Sequence, residues 1–338
     1  MDVKKHVIIG LKGIAMGAAD VVPGVSGGTI AFISGIYEEF IDSLKSLNLQ
    51  AIRILFKKGF GAFWQHINGS FLLSLFLGIL ISFASLAKGL TYLLNHNPVV
   101  LWGFFFGLIL ASIVMIGKQV KQWNLPTILA IIAGTGISYW VTILEPSSAP
   151  DSLWFIFIAG FIAIIAMILP GISGSFILLL LGAYATILST FSSFMKAVFS
   201  FSFNDILSHG TKILAFAIGA ITGLLSFSRV LSWLFKRYSN VVLALLTGFM
   251  IGSLNKIWPW KTTTSLRVHH AGKADESIIP FIQENVWPAN YSHISDIEQQ
   301  LSVLPNKDPQ TLTVLLLAIV GIVVIYILEK LAPSKASE

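Results

Sequence analysis

From Leu153 to Met195 the chain reads LWFIFIAGFIAIIAMILPGISGSFILLLLGAYATILSTFSSFM. These 43 residues contain no Asp, Glu, Lys, Arg or His. A helix crossing the hydrocarbon core of a bilayer needs about 20 residues, so the stretch is about two spans long. Pro170-Gly171 falls inside it, where proline removes a backbone donor and clashes with the preceding turn. The stretch predicts two helical pieces joined by a tight turn. They either cross fully or dip in and return as a re-entrant hairpin. The segment 6–47 has a corresponding break at Pro23-Gly24.

The composition agrees. Hydrophobic residues make up 55% of the 338 and charged residues 11%, with a mean hydropathy of +0.81. A soluble domain carries about 25% charged residues, so this chain reads as an all-α polytopic membrane protein. Ten apolar segments are expected, at about 6–22, 24–47, 70–94, 98–117, 126–144, 153–169, 171–195, 212–235, 240–255 and 311–329. Lys12 and Asp20 interrupt the first, so it reads as mature protein rather than a signal peptide. With no cysteine, disulfides, thiolate metal sites and cysteine nucleophiles are excluded.

The net charge of +6 follows topology, and no nucleic-acid partner is expected. With the N-terminus in the cytoplasm, Lys45, Arg53, Lys57, Lys58, Lys118, Lys121, Lys236, Arg237, Lys330 and Lys335 all fall inside. This obeys the positive-inside rule; Lys196 and Lys212 dissent. Both termini are then cytoplasmic, in the cell membrane. The polar stretch 256–310 becomes an extracytoplasmic insert, a candidate for a small soluble cap. The basic, amphipathic stretch 48–69 reads as an interfacial helix on anionic lipid.

Pro23-Gly24-Val25-Ser26-Gly27 recurs 147 residues later as Pro170-Gly171-Ile172-Ser173-Gly174, and Gly35 and Tyr37 keep the register with Gly182 and Tyr184. Further on the offset becomes 141, matching Gly78 to Gly219, Lys88 to Arg229 and Gly107 to Gly248. The chain thus divides into repeats at 1–144 and 145–338, each a Pro-Gly-broken helix pair plus three transmembrane helices. Either way of counting the broken pair gives an odd number of passes, so the second repeat enters the membrane inverted. Inverted repeats with broken helices are a transporter architecture.

After each break a helix starts with N–H groups that lack intrahelical partners, a setting that favours an anion. Ser26, Gly27, Gly28 and Thr29 form the first such start, and Ser173, Gly174 and Ser175 the second. The other reading is that these small residues only permit a kink and close packing. Lys88 and Arg229, one per repeat, are costly inside a span and are candidate phosphate or carboxylate ligands; snorkelling to the interface is the alternative. Asp20, Glu38 and Glu39 have no acidic counterparts in the second repeat. They are candidates for carrying a coupling proton or cation, against a capping role or salt bridge to Lys12 for Asp20 and an interfacial helix end for the glutamates. No G-x-x-x-x-G-K-[ST], H-E-x-x-H or G-x-S-x-G is present, so neither an enzyme nor a bound cofactor is expected.

Gly17-Ala18-Ala19-Asp20-Val21-Val22-Pro23-Gly24-Val25-Ser26-Gly27-Gly28-Thr29, followed by Gly35-Ile36-Tyr37-Glu38-Glu39, resembles the signature of a prokaryotic membrane family. Long catalogued as a domain of unknown function, the family is identified with transport of polyprenyl phosphate, in bacteria undecaprenyl phosphate. The resemblance spans about 6–330, the insert least. It implies that the carrier lipid, its cargo delivered outside, is flipped back to the cytoplasmic leaflet for reuse in cell-wall synthesis. A permease for a small soluble anion is the main alternative, ahead of an intramembrane lipid phosphatase or a scaffold.

Overall fold

The computed structural model describes residues 3–21, 25–145, 150, 152–269, 277–301 and 307–331. The Pro23-Gly24 break lies outside them. The first half contains α1 (Val3–Val21), α2 (Gly27–Ile33), α3 (Tyr37–Ser46), α4 (Leu49–Lys58), α5 (Phe60–His66), α6 (Gly69–Ser85), α7 (Ala87–His96), α8 (Pro98–Gly117) and α9 (Leu125–Ile143). The second contains α10 (Leu153–Ile168), α11 (Gly174–Leu180), α12 (Ala183–Phe199), α13 (Phe203–Ser253), the strands β1 (Lys261–His269) and β2 (Ser277–Asn285), and α14 (Thr311–Leu331).

This is a mostly helical membrane protein. By length and composition, three described helices can cross a bilayer, α8, α9 and α13, or five if two sharply bent pairs each count as one span. One of those pairs is α11 with α12, bent by 106°. The turn at Gly182 has φ +69°, and Gly35, its sequence counterpart, has φ +73°. Side chains rarely adopt this region, so glycine permits both bends. α13 runs 51 residues but kinks at Tyr238 (φ −134°, ψ 44°), between the two segments expected there.

The structure corrects three expectations. The segments 24–47 and 171–195 are each two helices rather than one, α2 with α3 and α11 with α12. The segment 70–94 is interrupted at Leu86, so Lys88 lies in the first turn of α7 rather than within a continuous span. The insert adds strands to the expected all-α fold: β1 and β2 pair antiparallel, drawn by the β-branched runs Thr262-Thr263-Thr264 and Ile278-Ile279. The stretch 48–69 does form helices, α4 and α5, and leaves Ile52, Phe56 and Phe60 exposed.

Residues matched by the two sequence offsets make matching contacts. A Cβ on Gly13 would strike the Leu75 carbonyl and one on Gly78 the Gly10 carbonyl, where α1 crosses α6. Their counterparts Gly160 and Gly219 face the carbonyls of Phe216 and Phe157, where α10 crosses α13. Gly107 likewise lies against Ala318 on α14, as Gly248 lies against Ile131 on α9. In lipid, helices associate by close packing rather than by the hydrophobic effect, so these backbone approaches hold the bundle together.

Gly78→Ala and Gly219→Ala should each lower thermal stability in detergent, by about 1–3 kcal/mol for overpacking. Gly136→Ala, where nothing lies within 4 Å, should be neutral or stabilising.

Candidate functional site

α10 ends at Ile168 and α11 begins at Gly174, leaving backbone groups without helical partners. Away from water each must be paired inside the protein. Side chains from the first half pair several of them. Ser26 Oγ lies 3.3 Å from the carbonyl oxygens of both Met167 and Leu169 and can donate to either. The Tyr37 hydroxyl donates to Ile168 O at 3.0 Å. Gly171 N donates to Thr29 Oγ1 at 3.0 Å. Ser26, Thr29 and Tyr37 are all buried. Gly28 has no room for a side chain, because a Cβ would meet the Ile168 carbonyl. The start of α2 and the first residue of α3 are thus joined to the turn between α10 and α11.

The starts of α2 and α11 differ. At α2, Gly27 N donates to Asp20 Oδ1 at 2.7 Å, Gly28 N to Ser26 Oγ at 3.1 Å and Thr29 N to Ser26 O at 2.9 Å. The protein's own carboxylate therefore occupies the place an anion would take. At α11, Met167 stands at the position matching Asp20. Ser173 Oγ receives Phe176 N at 3.4 Å and is 2.9 Å from Ser175 Oγ. The amides of Gly174 and Ser175 have no hydrogen-bond partner among the described residues.

The two halves are also packed differently. On α3, Tyr37 and Leu44 are each 2% exposed; their counterparts on α12, Tyr184 and Phe191, are 37% and 54% exposed. α3 is tied to α13: Ser232 Oγ donates to Asp42 Oδ1 at 2.7 Å, and Lys45 Nζ donates to Ser232 Oγ at 3.1 Å. Beside α12 lies an almost wholly apolar groove of about 370 Å³, lined by Ile156, Leu178, Ile187, Phe191, Ile213 and Phe216. A second cleft, of about 600 Å³, is bordered by Glu38, Lys118, Lys121, Asn240 and Glu329.

Residues 16–275 match the model of a family described as undecaprenyl phosphate translocase-like. The chain belongs to this family. It is 44% identical over 322 residues to a polyprenyl-phosphate transporter of Vibrio cholerae serotype O1, covering 95% of this chain and 96% of that protein. It is 33% identical over 262 residues to a polyprenyl-phosphate transporter of Staphylococcus aureus, covering 74% of this chain and 85% of that protein. No solved structure matches it.

In this family member the expected site residues do not all converge. Ser26, Gly27, Gly28, Thr29 and Asp20 gather at α2, against the turn before Ser173, Gly174 and Ser175. Arg229 is exposed on α13, and its side chain bonds to none of the described residues. The Lys88 side chain lies outside what the structure describes. Glu39 accepts from Asn68 Nδ2 at 3.0 Å, and Glu38 is exposed at the larger cleft. Lys12 was expected only as a partner for Asp20. It is instead 4% exposed and donates to Ser34 O at 2.6 Å, at the C-terminal end of α2. A cation is favoured at that end of a helix; the signal was its interruption of an apolar run.

Thr29→Val should destabilise the protein by about 1–3 kcal/mol, because the buried Gly171 N–H loses its acceptor. Thr29→Ser should recover most of the loss in the same thermal-unfolding assay.

Proposed function

We propose that the protein moves a polyprenyl phosphate, in bacteria undecaprenyl phosphate, from the outer to the cytoplasmic leaflet, returning the carrier lipid for reuse. The observation that carries this reading is an apolar groove beside α12, to whose lining Leu178 of α11 contributes, α11 being the helix whose first amides are unpaired. Such a lipid has one anionic head and a long apolar tail. The groove suits the tail, and Gly174 N, Ser175 N and the Ser173 and Ser175 hydroxyls suit the head. The names of the two relatives support the same substrate class. A permease for a small soluble anion would gain nothing from an apolar groove.

In this proposal residues 1–144 and 145–338 are inverted repeats that alternate in access, with the insert at about 256–310 extracytoplasmic and both termini in the cytoplasm of a cell-membrane protein. The matched glycine contacts and the unequal burial of α3 and α12 support it. One half is closed while the other is splayed. Moving a negative charge into a negative-inside cell costs about 2.3 kcal/mol per charge per 100 mV. Proton uptake offsets this. Asp20 is the leading carrier, with Glu38 and Glu39 behind it: a protonated Asp20 would free Gly27 N–H for the phosphate as the head passes from the second turn to the first. Lys88 and Arg229 are secondary ligands, and Arg229 must turn inward to take part.

The test is leaflet-resolved movement of undecaprenyl phosphate by purified protein in liposomes, with and without a pH gradient. Wild-type protein should move the lipid faster with the gradient. The double variant Ser173→Ala, Ser175→Ala should be slower by at least about tenfold, the worth of one hydrogen bond to a charged group. A rate equal to that of protein-free liposomes would reject the function, and a rate indifferent to the gradient would reject the coupling.

A further inference from the structure

A cleft of about 430 Å³ lies between the ends of α9 and α13, the side of α11 and β2, and Lys256 and Lys261 both line it. Lys256 Nζ sits 4.2 Å above the centre of the Phe176 ring. Lys261 Nζ donates to Lys256 O at 2.6 Å and lies 4.0 Å from the Trp102 ring centre. Neither lysine forms an ion pair among the described residues, whereas nearby Lys307 pairs with Glu298 at 2.8 Å. The cleft wall is braced: Asn285 Nδ2 donates to Asn255 O and Oδ1, both at 2.8 Å, and Asn255 Nδ2 donates to Thr142 Oγ1 at 2.8 Å.

Two lysines held in a rigid cleft without a direct ion pair, with Glu145 and Glu284 also on its lining, leave donors that an anion can take. Phe176 directly follows Ser175, so Lys256 stands over the same turn of α11 that carries the unpaired amides. Leu178 borders the apolar groove from another face of α11, since residues two apart do not share a helix face. The lipid-phosphate reading supplies the occupant, a phosphate head arriving at the start of α11.

We propose that Lys256, backed by Lys261, is a receiving site for the phosphate monoester head of a lipid, which it hands to Gly174 and Ser175. The proposal rests on the lipid-phosphate reading above. Cation–π contact with Phe176 holds the ammonium in place while its remaining donors face the cleft. Burial lowers Lys256 to about 8 and Lys261 well below its usual value, the latter also because of the charge on Lys256. The other charged groups on the cleft are Glu145 and Glu284; α11 contributes only Phe176 and Leu179. An arriving phosphate therefore favours the protonated lysine, and the site weakens as pH rises through the Lys256 value.

The experiment measures undecaprenyl phosphate transport in liposomes against lipid density for wild type, Lys256→Gln and Lys256→Arg. Lys256→Gln should raise the half-saturating density about tenfold, as for loss of a hydrogen bond to a charged group, with the maximal rate within about twofold. Lys256→Arg should stay near wild type. Between about pH 7.5 and 9 wild type should lose affinity and Lys256→Arg should not, since arginine stays charged; this comparison stands even if Lys256→Gln fails to fold. Unchanged saturation in Lys256→Gln, or the same pH profile in wild type and Lys256→Arg, would overturn the proposal. No lipid movement by wild type would instead reject the underlying reading. Inorganic phosphate is the second arm: competition abolished by Lys256→Gln supports a phosphate site. Carriage of inorganic phosphate itself without lipid movement would overturn the lipid head as occupant.

Discussion

A backbone broken inside a membrane protein cannot leave its polar groups to water, and that constraint organises this molecule. The carbonyls of Met167, Ile168 and Leu169 and the N–H of Gly171 are met by Ser26, Tyr37 and Thr29. These three side chains come from the other half of the chain, so satisfying the break also fixes how the halves sit. Gly28 lets them come that close. Around this joint the long helices cross at glycines, where lipid offers no hydrophobic drive and only contact distance counts.

Near-repetition makes the differences informative. Asp20 fills the start of α2, and Met167 leaves the corresponding place at α11 without a carboxylate. α3 is buried and tied to α13 through Asp42, Lys45 and Ser232; α12 stands off beside an apolar groove. In the proposed cycle the two halves exchange these roles. Proton occupancy of Asp20 would bias that exchange in the proposed cycle, because only a charged carboxylate competes well for the Gly27 amide.

Much of the fold was legible in the residues. A charge-free stretch twice as long as a span, broken by Pro170-Gly171, announced a paired helix, and the repeated Pro-Gly-x-Ser-Gly located its partner. What was not legible is instructive. The bends at Gly35 and Gly182, where positive φ favours glycine, were not read in advance: one helical segment was expected across each. On a uniformly apolar helix, hydropathy does not distinguish the face that meets protein from the face that meets lipid. Arg229 was therefore placed at the site but points outward, while Lys12 was treated as an interruption but lies in the core. That Ser26 and Thr29 would bond to the second turn depends on long-range packing that no local pattern encodes. The hairpin of the insert was hidden by its mixed composition. The pair Lys256 and Lys261 became visible only once α11 and the insert were brought together.

The joint between the two turns can be tested directly, since the chain has no cysteine to give a background. Cysteines placed at Ser26 and Met167, whose native contact is 3.3 Å from side chain to carbonyl, should be bridged in native membranes by a short thiol-specific cross-linker. A control pair at Ser26 and Arg229 should not be. Failure of the first pair to cross-link while both thiols remain reactive, or equal cross-linking of the control, would contradict the account.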